Sequence, residues 1–348
     1  MLRDNPVFQE DLGAVLKDKT IPWEQLRSKT VFVTGATGLV GYTLTCALLQ
    51  YSLSCNGNIH VIALVRDRKK AEEKFADWFP NAENILIFQE GTVEVLPEIC
   101  SAVDYIVHCA CPTGSSYFVE HPVETIETIY TGTRRVLELA RKKRVSGVVF
   151  LSSMEVYGEV KTRNKLKEGD LGYLDITASR SSYPGGKRMA ETLCCAYAKE
   201  FGVPVTIARL AQTFGPGVDR NDERVFAYIA RCALRGQNIL LNTDGSKENM
   251  YLYTMDAVSA ILLLLLKGER GLAYNVANEA TYCSVKEMAE LVANALGGGV
   301  RVEINVGRLN EKYPPAGCLN LDATRLHSLG WGARHELKNM YVRMINAF

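Results

Sequence analysis

A β-branched segment that runs directly into three evenly spaced glycines is the feature that most restricts the fold of this chain. Thr30-Val-Phe-Val-Thr34 has the composition of a buried strand, and Gly35-Ala-Thr-Gly38-Leu-Val-Gly41 follows it at the start of a helical pattern. In such a turn the first glycine permits a sharp change of direction. The second lets the backbone approach a pyrophosphate, and the third lets the helix pack on the sheet.

The helix after this turn offers free N–H groups at its N-terminus, which favour an anionic ligand. The sequence therefore predicts a dinucleotide-binding turn, and the alternative is a tight strand–helix connection that holds no ligand. The residues expected to contact the cofactor here are Gly35, Thr37, Gly38, Leu39, Val40 and Gly41.

Strand-like and helical segments alternate through the first part of the chain, which predicts an α/β fold: a Rossmann-type, doubly wound parallel sheet. The predicted strands are residues 30–34, 61–65, 85–88, 105–109, 147–152 and 205–209. Beyond them the pattern becomes mixed, which indicates a smaller α/β lobe that binds the substrate. The expected division is an extension at 1–28, a dinucleotide-binding domain at 29–180 completed by 181–211 and about 250–266, and a substrate-binding lobe at 212–348.

Composition narrows the class of protein. The chain has 348 residues, 47% of them hydrophobic, with 40 basic against 39 acidic side chains. This balance gives no electrostatic reason to expect a nucleic-acid or membrane-surface partner. The ten cysteines form no C-x-x-C pair, so we expect free thiols and no metal site. The most apolar stretch, 257–266, is too short to span a bilayer, and we expect a cytoplasmic protein.

The end of the second strand bears on the choice of nicotinamide cofactor. Arg66 occupies the strand-end position in Ala63-Leu-Val-Arg66-Asp67-Arg68-Lys-Lys70. An arginine there accommodates a 2′-phosphate, whereas an acidic residue binds the ribose 2′-hydroxyl. The sequence therefore favours NADP(H). The alternative is NAD(H), with Asp67 binding the ribose and the basic residues facing solvent.

Ser182-Tyr183-Pro-Gly-Gly-Lys187 opens a helix, because proline is tolerated in a first turn. The i, i+4 spacing places the phenol of Tyr183 and the ammonium of Lys187 on one face. A nearby ammonium lowers the pKa of a phenol, so Tyr183 is a candidate acid and base for an alcohol–ketone interconversion. Ser153 ends the fifth strand, at the sheet edge where such folds bind ligands, and Glu155 follows it by two residues along an extended chain.

These segments, together with Gln212-Thr-Phe-Gly-Pro216 and Gly186-Lys-Arg-Met-Ala-Glu-Thr192, resemble the extended short-chain dehydrogenases/reductases of the NAD-dependent epimerase/dehydratase family. Within it the likeness is greatest to UDP-glucuronate decarboxylases. The resemblance implies a nucleotide-activated sugar as substrate and a homodimer. It also implies a catalytic triad of Ser153, Tyr183 and Lys187, with Glu155 as an assisting carboxylate.

Several residues depart from the family pattern, so the resemblance does not decide which of the family's reactions this chain catalyses. Asn249 stands where the decarboxylases have an arginine, and Met154 stands where sugar-nucleotide dehydratases have an aspartate. Neither residue can replace the charge or the proton of the family's side chain. Gln212 and Ile129 replace asparagines and suggest a shifted sugar or phosphate geometry.

Other candidates follow the fourth strand or lie in the lobe. His108 is expected to be a core histidine, because no second histidine lies at metal-ligand spacing. Cys109 and Ala110 are expected beside the cofactor. The predicted substrate-binding residues are Thr113, Ser115, Ser116, Gln212, Arg224 and Asn249, and Lys247 is a further candidate for the substrate diphosphate.

The sequence favours an NAD(P)-dependent oxidoreductase that acts on a nucleotide-activated sugar or a sugar-derived ketose, with net reduction by NADPH. The first alternative is a redox-neutral epimerase, decarboxylase or dehydratase with tightly bound NAD. A second alternative is a non-catalytic scaffold that binds NADP. This alternative is disfavoured because Ser153, Tyr183 and Lys187 are all present.

Overall fold

A parallel sheet of seven strands forms the centre of the computed structural model, which describes residues 2–306 and 317–348. Residues 307–316, inside the predicted lobe, lie outside this description. The strand order is β11-β6-β5-β4-β1-β2-β3, and every neighbouring pair is parallel. These strands are β1 (Thr30–Thr34), β2 (His60–Val65), β3 (Leu86–Glu90), β4 (Tyr105–His108), β5 (Gly147–Ser153), β6 (Val205–Leu210) and β11 (Ala273–Val276).

Helices cover both faces of this sheet. The helices are α1 (Pro6–Leu16), α2 (Leu39–Ser54), α3 (Arg68–Lys74), α4 (Phe79–Ala82), α5 (Ser115–Glu120), α6 (Pro122–Lys143), α7 (Ser182–Glu200), α8 (Val225–Arg235), α9 (Thr254–Lys267), α10 (Val285–Leu296), α11 (Thr324–His327) and α12 (Leu337–Asn346). Alternate residues of β1 enter different hydrophobic clusters: Val31 and Val33 join one, and Phe32 joins the other. A strand buried on both faces is typical of a doubly wound α/β fold, so the predicted fold class is confirmed.

The two halves of the sheet meet at β1, which pairs with β2 on one side and β4 on the other. Such a change in winding direction opens a crevice at the carboxyl ends of the strands, where α/β sheets bind ligands. The glycine turn after β1, the loop after β4 and the end of β5 all lie at this edge.

Short strand pairs accompany the C-terminal helices. They join β7 (Gln212–Phe214) to β10 (Tyr251–Tyr253), β8 (Ile239–Leu241) to β13 (Val302–Ile304), and β9 (Glu248–Asn249) to β12 (Cys283–Ser284). One part of the expected division differs from the structure. The assignment of 212–348 to the lobe includes β11, which instead forms the edge of the central sheet beside β6. The short sequence of β11 carries no glycine turn that would mark it as part of the central sheet.

The segment before β1 packs on the body of the fold. Asn5 caps α1 by accepting hydrogen bonds from Val7 and Phe8. The side chains of Phe8, Leu12 and Val15 are buried in the larger hydrophobic cluster. These contacts make the N-terminal segment part of the same core as the sheet.

Candidate active site

The glycine turn has the close approaches that its spacing predicts. Gly35 has a φ of +65°, and a Cβ there would lie 2.8 Å from the backbone of Ala110. A Cβ on Gly41 would lie 2.2 Å from the carbonyl oxygen of Gly35. Gly38 is the N-cap of α2 and supplies no side-chain cap, which leaves the first N–H groups of the helix free for an anion. The turn therefore fits the pyrophosphate of a dinucleotide.

The glycine turn is held on both sides. Lys74 donates a hydrogen bond of 2.7 Å from its ammonium to the carbonyl oxygen of Thr37. The Thr34 hydroxyl accepts a hydrogen bond of 3.1 Å from the backbone N–H of Ala110. The loop after β4, including Cys109 and Ala110, is thereby fixed against the turn. Leu39 and Val40 form the first turn of α2, as the sequence predicts.

Arg66 follows β2 directly and is exposed. Asp67, the alternative ribose ligand, is the N-cap of α3 and accepts a hydrogen bond of 3.0 Å from the backbone N–H of Lys70. Capping already uses one oxygen of this carboxylate, and the hydrogen bond holds its pKa below the usual value. The structure thus leaves Arg66 exposed at the strand end, where its charge also acts on Glu94, and engages Asp67 in the helix cap.

His108 is a core histidine, as its lack of a metal-binding partner predicts. It is buried between the hydroxyls of Thr34, at 2.7 Å, and Thr133, at 3.2 Å. Burial, with the charge of Lys187 nearby, lowers the pKa of His108 to about 3. A neutral imidazole held by two hydroxyls organises the interior behind the loop after β4.

The end of β5 places Ser153 and Glu155 together, but by a different route from the predicted one. The alternation of an extended strand was the basis for that prediction, and it was wrong: the chain turns into a 3₁₀ helix at Met154–Tyr157. Ser153 caps this helix and accepts a hydrogen bond of 3.2 Å from the backbone N–H of Glu155. The cap is therefore what holds Glu155 next to Ser153.

Tyr183 and Lys187 lie in the first turns of α7 and are both buried. The Tyr183 ring stacks on Phe118, with ring centroids 4.3 Å apart. The Lys187 ammonium donates a hydrogen bond of 2.6 Å to the carbonyl oxygen of Leu151 on β5. It also lies 5.8 Å from the centre of the Tyr183 ring. Helix and strand thus hold the predicted pair on one face at the sheet edge.

The acidity of Tyr183 differs from the expectation. Burial, together with Cys111 and Glu155, raises the pKa of Tyr183 well above 10, while a hydrogen bond from Ser153 and the charge of Arg180 oppose that rise. The ammonium of Lys187 is hydrogen-bonded to the Leu151 carbonyl oxygen, and the main groups that oppose the rise are Ser153 and Arg180. In this state the phenol is a proton donor.

Two cations that the sequence did not place at the centre of the site lie beside Glu155. Arg180, three residues before Tyr183, donates a hydrogen bond of 2.8 Å to the Glu155 carboxylate. Its guanidinium lies 5.4 Å from the centre of the Phe118 ring. Lys247 approaches the same carboxylate from the lobe and interacts electrostatically with both Glu155 and Arg180. No sequence motif identifies these two residues, because they meet only through the fold.

The predicted substrate residues lie on several different elements. Thr113 is exposed after β4, and Ser115 and Ser116 begin α5. Gln212 begins β7. Arg224 is already paired with Asp222, with charged atoms 2.5 Å apart, which reduces its availability to a phosphate. The roles of all these residues in binding stay predictions.

Asn249 is buried, and its carbonyl oxygen Oδ1 has no hydrogen-bond partner among residues 2–306 and 317–348. The Asn249 side chain interacts with the hydroxyl of Tyr251. It is therefore a neutral group with unused hydrogen-bonding capacity, whose role in substrate binding also stays a prediction.

A parallel sheet with a glycine turn after β1, a serine at the end of β5 and a tyrosine–lysine pair on the following helix defines an extended short-chain dehydrogenase/reductase. Residues 31–277 match the NAD dependent epimerase/dehydratase family. The chain belongs to this family, and it is an enzyme.

Two solved structures and one sequence relative illustrate the likeness. UDP-glucuronic acid decarboxylase 1 of Xenopus tropicalis is 30% identical over 272 residues, which cover 78% of this chain and 61% of the relative. UDP-glucose 4-epimerase of Thermotoga maritima, solved with UDP-glucose, superposes with a TM-score of 0.77 at 22% identity and covers 92% of this chain and 98% of that one. UDP-glucuronic acid 4-epimerase of Bacillus cereus, solved with UDP-glucuronic acid and NAD, superposes with a TM-score of 0.76 at 18% identity. The superposition covers 91% of this chain and 98% of that one.

Proposed function

We propose that this enzyme converts a nucleotide-linked sugar through a redox-neutral cycle on tightly held NAD. This is the first alternative from the sequence, and the relatives support it better than the favoured net reduction by NADPH. The observation that carries it is the arrangement at the sheet edge. A glycine turn shaped for a pyrophosphate lies at the same edge of the sheet as the hydrogen-bonded Ser153 and Tyr183.

The glycine turn and the start of α2 would hold the pyrophosphate, and Lys187 would hold the nicotinamide ribose. When bound, NAD would supply a hydride acceptor and, once reduced, a hydride donor. Tyr183 takes the proton from the sugar hydroxyl and gives it back. Ser153, which hydrogen-bonds the phenol, polarises the same substrate oxygen. The positive charge of the bound cofactor would stabilise the phenolate and so lower the raised pKa of Tyr183.

Glu155 lies next to this centre and supplies a carboxylate for the chemistry that follows oxidation. Once the sugar carries a carbonyl, the neighbouring C–H is acidified, and a carboxylate can remove or return its proton. A dehydratase needs this proton removal directly. In a decarboxylase a group at this position would instead return a proton to the carbon that loses CO₂, and an epimerase that inverts the oxidised carbon itself needs no such transfer. Met154 is buried and carries no proton to give, so a dehydration would use Glu155 for both proton transfers.

The test is to purify the protein without added cofactor and identify what it carries by mass spectrometry. Turnover of UDP-glucuronic acid and UDP-glucose is then followed by NMR, with and without NADPH. We expect stoichiometric NAD and a rearranged sugar with no net consumption of cofactor. An enzyme that carries no NAD and consumes one NADPH for each product would refute the redox-neutral cycle.

Net reduction by NADPH is the second candidate, and the exposed Arg66 at the end of β2 favours it. If a 2′-phosphate binds there, Arg66→Ala weakens NADPH binding about 10-fold or more and leaves NAD binding unchanged. Arg68→Ala is a matched control, because Arg68 is already paired with Glu72 at 2.8 Å. Equal affinity of Arg66→Ala and wild type for NADPH would remove this candidate.

We propose that the enzyme forms a homodimer through α6 and α7. These helices pack against each other and carry three exposed apolar residues, Val123, Ile126 and Met189, which expose 66%, 45% and 54% of their full residue surface. Clustered exposed apolar residues indicate a contact surface. Light scattering should give twice the chain mass, and Ile126→Glu with Met189→Glu should halve it. A monomeric wild type would refute the proposal.

A further inference from the structure

Three charged side chains form a cluster beside the catalytic tyrosine. Arg180 donates a hydrogen bond of 2.8 Å to Glu155, and Lys247 interacts electrostatically with both. Arg180 also lies against Phe118, the ring on which Tyr183 stacks. The cluster is therefore next to Tyr183, whose pKa both Glu155 and Arg180 affect.

The charges of this cluster do not balance. Two cations face one carboxylate, and the ammonium of Lys247 forms no hydrogen bond or ion pair with the residues that the structure describes. The Nε of Arg180 is buried and is likewise without a partner among those residues. A partly buried ammonium that makes no direct ion pair is costly. Consistent with that cost, burial lowers the pKa of Lys247 to about 8, although Glu155 acts in the opposite direction.

An anion from the substrate would complete the cluster. One more carboxylate would balance Arg180 and Lys247 against Glu155, and its oxygens would accept hydrogen bonds from the unused Nε and ammonium groups. The position of the cluster points to the sugar as the source of this carboxylate, because Ser153 and Tyr183 hold the reacting sugar carbon. The diphosphate would lie farther from this centre.

We propose that Arg180 and Lys247 are specificity-determining residues that bind a carboxylate on the sugar and so select acidic over neutral nucleotide sugars. This inference rests on the proposed function, since it needs the sugar to bind at Tyr183. It assigns Lys247 to the sugar end of the substrate and not to the diphosphate for which the sequence suggested it.

Binding to the NAD-loaded protein tests the proposal, with UDP-glucuronic acid, UDP-glucose and UDP as probes and calorimetry as the measurement. Wild type should bind UDP-glucuronic acid at least about 10-fold more tightly than UDP-glucose. Lys247→Met should weaken UDP-glucuronic acid binding by about 10- to 100-fold and leave the other two probes unchanged. Lys247→Arg, which keeps the charge, should retain most of the preference.

Lys286→Met is the matched control, because Lys286 lies nearby on α10 with half of its side chain exposed and its ammonium 3.9 Å from Glu290. It should leave all three affinities unchanged. Arg180→Gln provides a second variant that should reduce the preference independently of Lys247. Thermal unfolding of each variant checks that the fold is retained.

The results distinguish a failure of this inference from a failure of the proposed function. Equal binding of UDP-glucuronic acid and UDP-glucose by wild type would overturn the inference and leave the proposed function intact. An equal loss for all three probes in Lys247→Met would overturn it as well, since that result assigns Lys247 to the diphosphate. If wild type binds none of the three probes, the proposed function fails and the inference fails with it.

Discussion

Replacing Gly41 with alanine tests whether the turn after β1 is a binding device with fixed dimensions. The added Cβ would lie 2.2 Å from the carbonyl oxygen and 2.9 Å from the carbonyl carbon of Gly35. An ordinary contact between such atoms begins near 3.4 Å. The helix or the turn must therefore shift by roughly 1 Å, and both neighbours are backbone atoms that cannot rotate away.

The expected cost follows from this displacement. Overpacking of this kind destabilises a fold by about 1–3 kcal/mol. Because the free N–H groups of α2 move with the helix, a similar loss applies to binding of the pyrophosphate. We expect the affinity for NAD to fall by about 10- to 100-fold, and the melting temperature to fall by a few degrees. Calorimetry with NAD and thermal unfolding measure the two effects separately.

Gly13→Ala is the matched control. Gly13 lies within α1, and nothing is within 4 Å of a Cβ built on it. Alanine there should stabilise the helix by about 0.5–1 kcal/mol and leave NAD binding unchanged. If Gly41→Ala binds NAD as wild type does, the turn is not the pyrophosphate site. If both variants lose affinity equally, the effect is not specific to the turn.

Three further predictions concern other parts of the molecule. Tyr183→Phe removes the hydroxyl but keeps the ring, so turnover should fall by about 10²- to 10⁴-fold. The affinity for NAD, measured in a direct titration, should not change. Unaltered turnover would exclude the proton-transfer role of Tyr183. Arg343 lies 2.5 Å from the buried carboxylate of Asp11, so Asp11→Ala removes its main partner and should lower the free energy of unfolding in urea titrations by about 3 kcal/mol. Glu10 is exposed, so Glu10→Ala should lower it by under about 1 kcal/mol. Equal losses in the two variants would contradict the stabilising role of the buried pair. Burial lowers the pKa of Lys247 to about 8, so the amine is charged below that pH. The affinity for UDP-glucuronic acid should therefore decrease as the pH rises through about 8, while the affinity for UDP-glucose should not change. Parallel pH profiles for the two ligands would contradict the assignment of Lys247 to the sugar carboxylate.

The parts of the site that sequence predicts are those in which local geometry and chemistry coincide. The turn from Gly35 to Gly41 is such a case, because glycine spacing, strand and helix are all contiguous. The same holds for Tyr183 and Lys187, whose four-residue spacing sets a common helix face. These elements could be predicted because few other folds place such residues in that order.

The charged cluster could not be predicted in this way. Arg180 and Lys247 are distant in the chain, and only the packing of the lobe against the sheet edge brings both to Glu155. Glu155 itself reaches the site because Ser153 caps a 3₁₀ helix, a local hydrogen bond that strand alternation does not anticipate. The raised pKa of Tyr183 likewise depends on burial, which a residue spacing does not express.

The contact between α1 and α12 has a consequence for how the molecule unfolds. Arg343 binds Asp11, both interact with Tyr253, and Asn5 donates a hydrogen bond of 3.2 Å to the carbonyl oxygen of Asn346. The chain is thus closed on itself by polar bonds between segments separated by more than three hundred residues. Closing so long a loop is slow, so this clasp should form late in folding. Once formed, it keeps either helix from fraying independently of the other, and mechanical pulling on the two helices should encounter this contact as its first barrier.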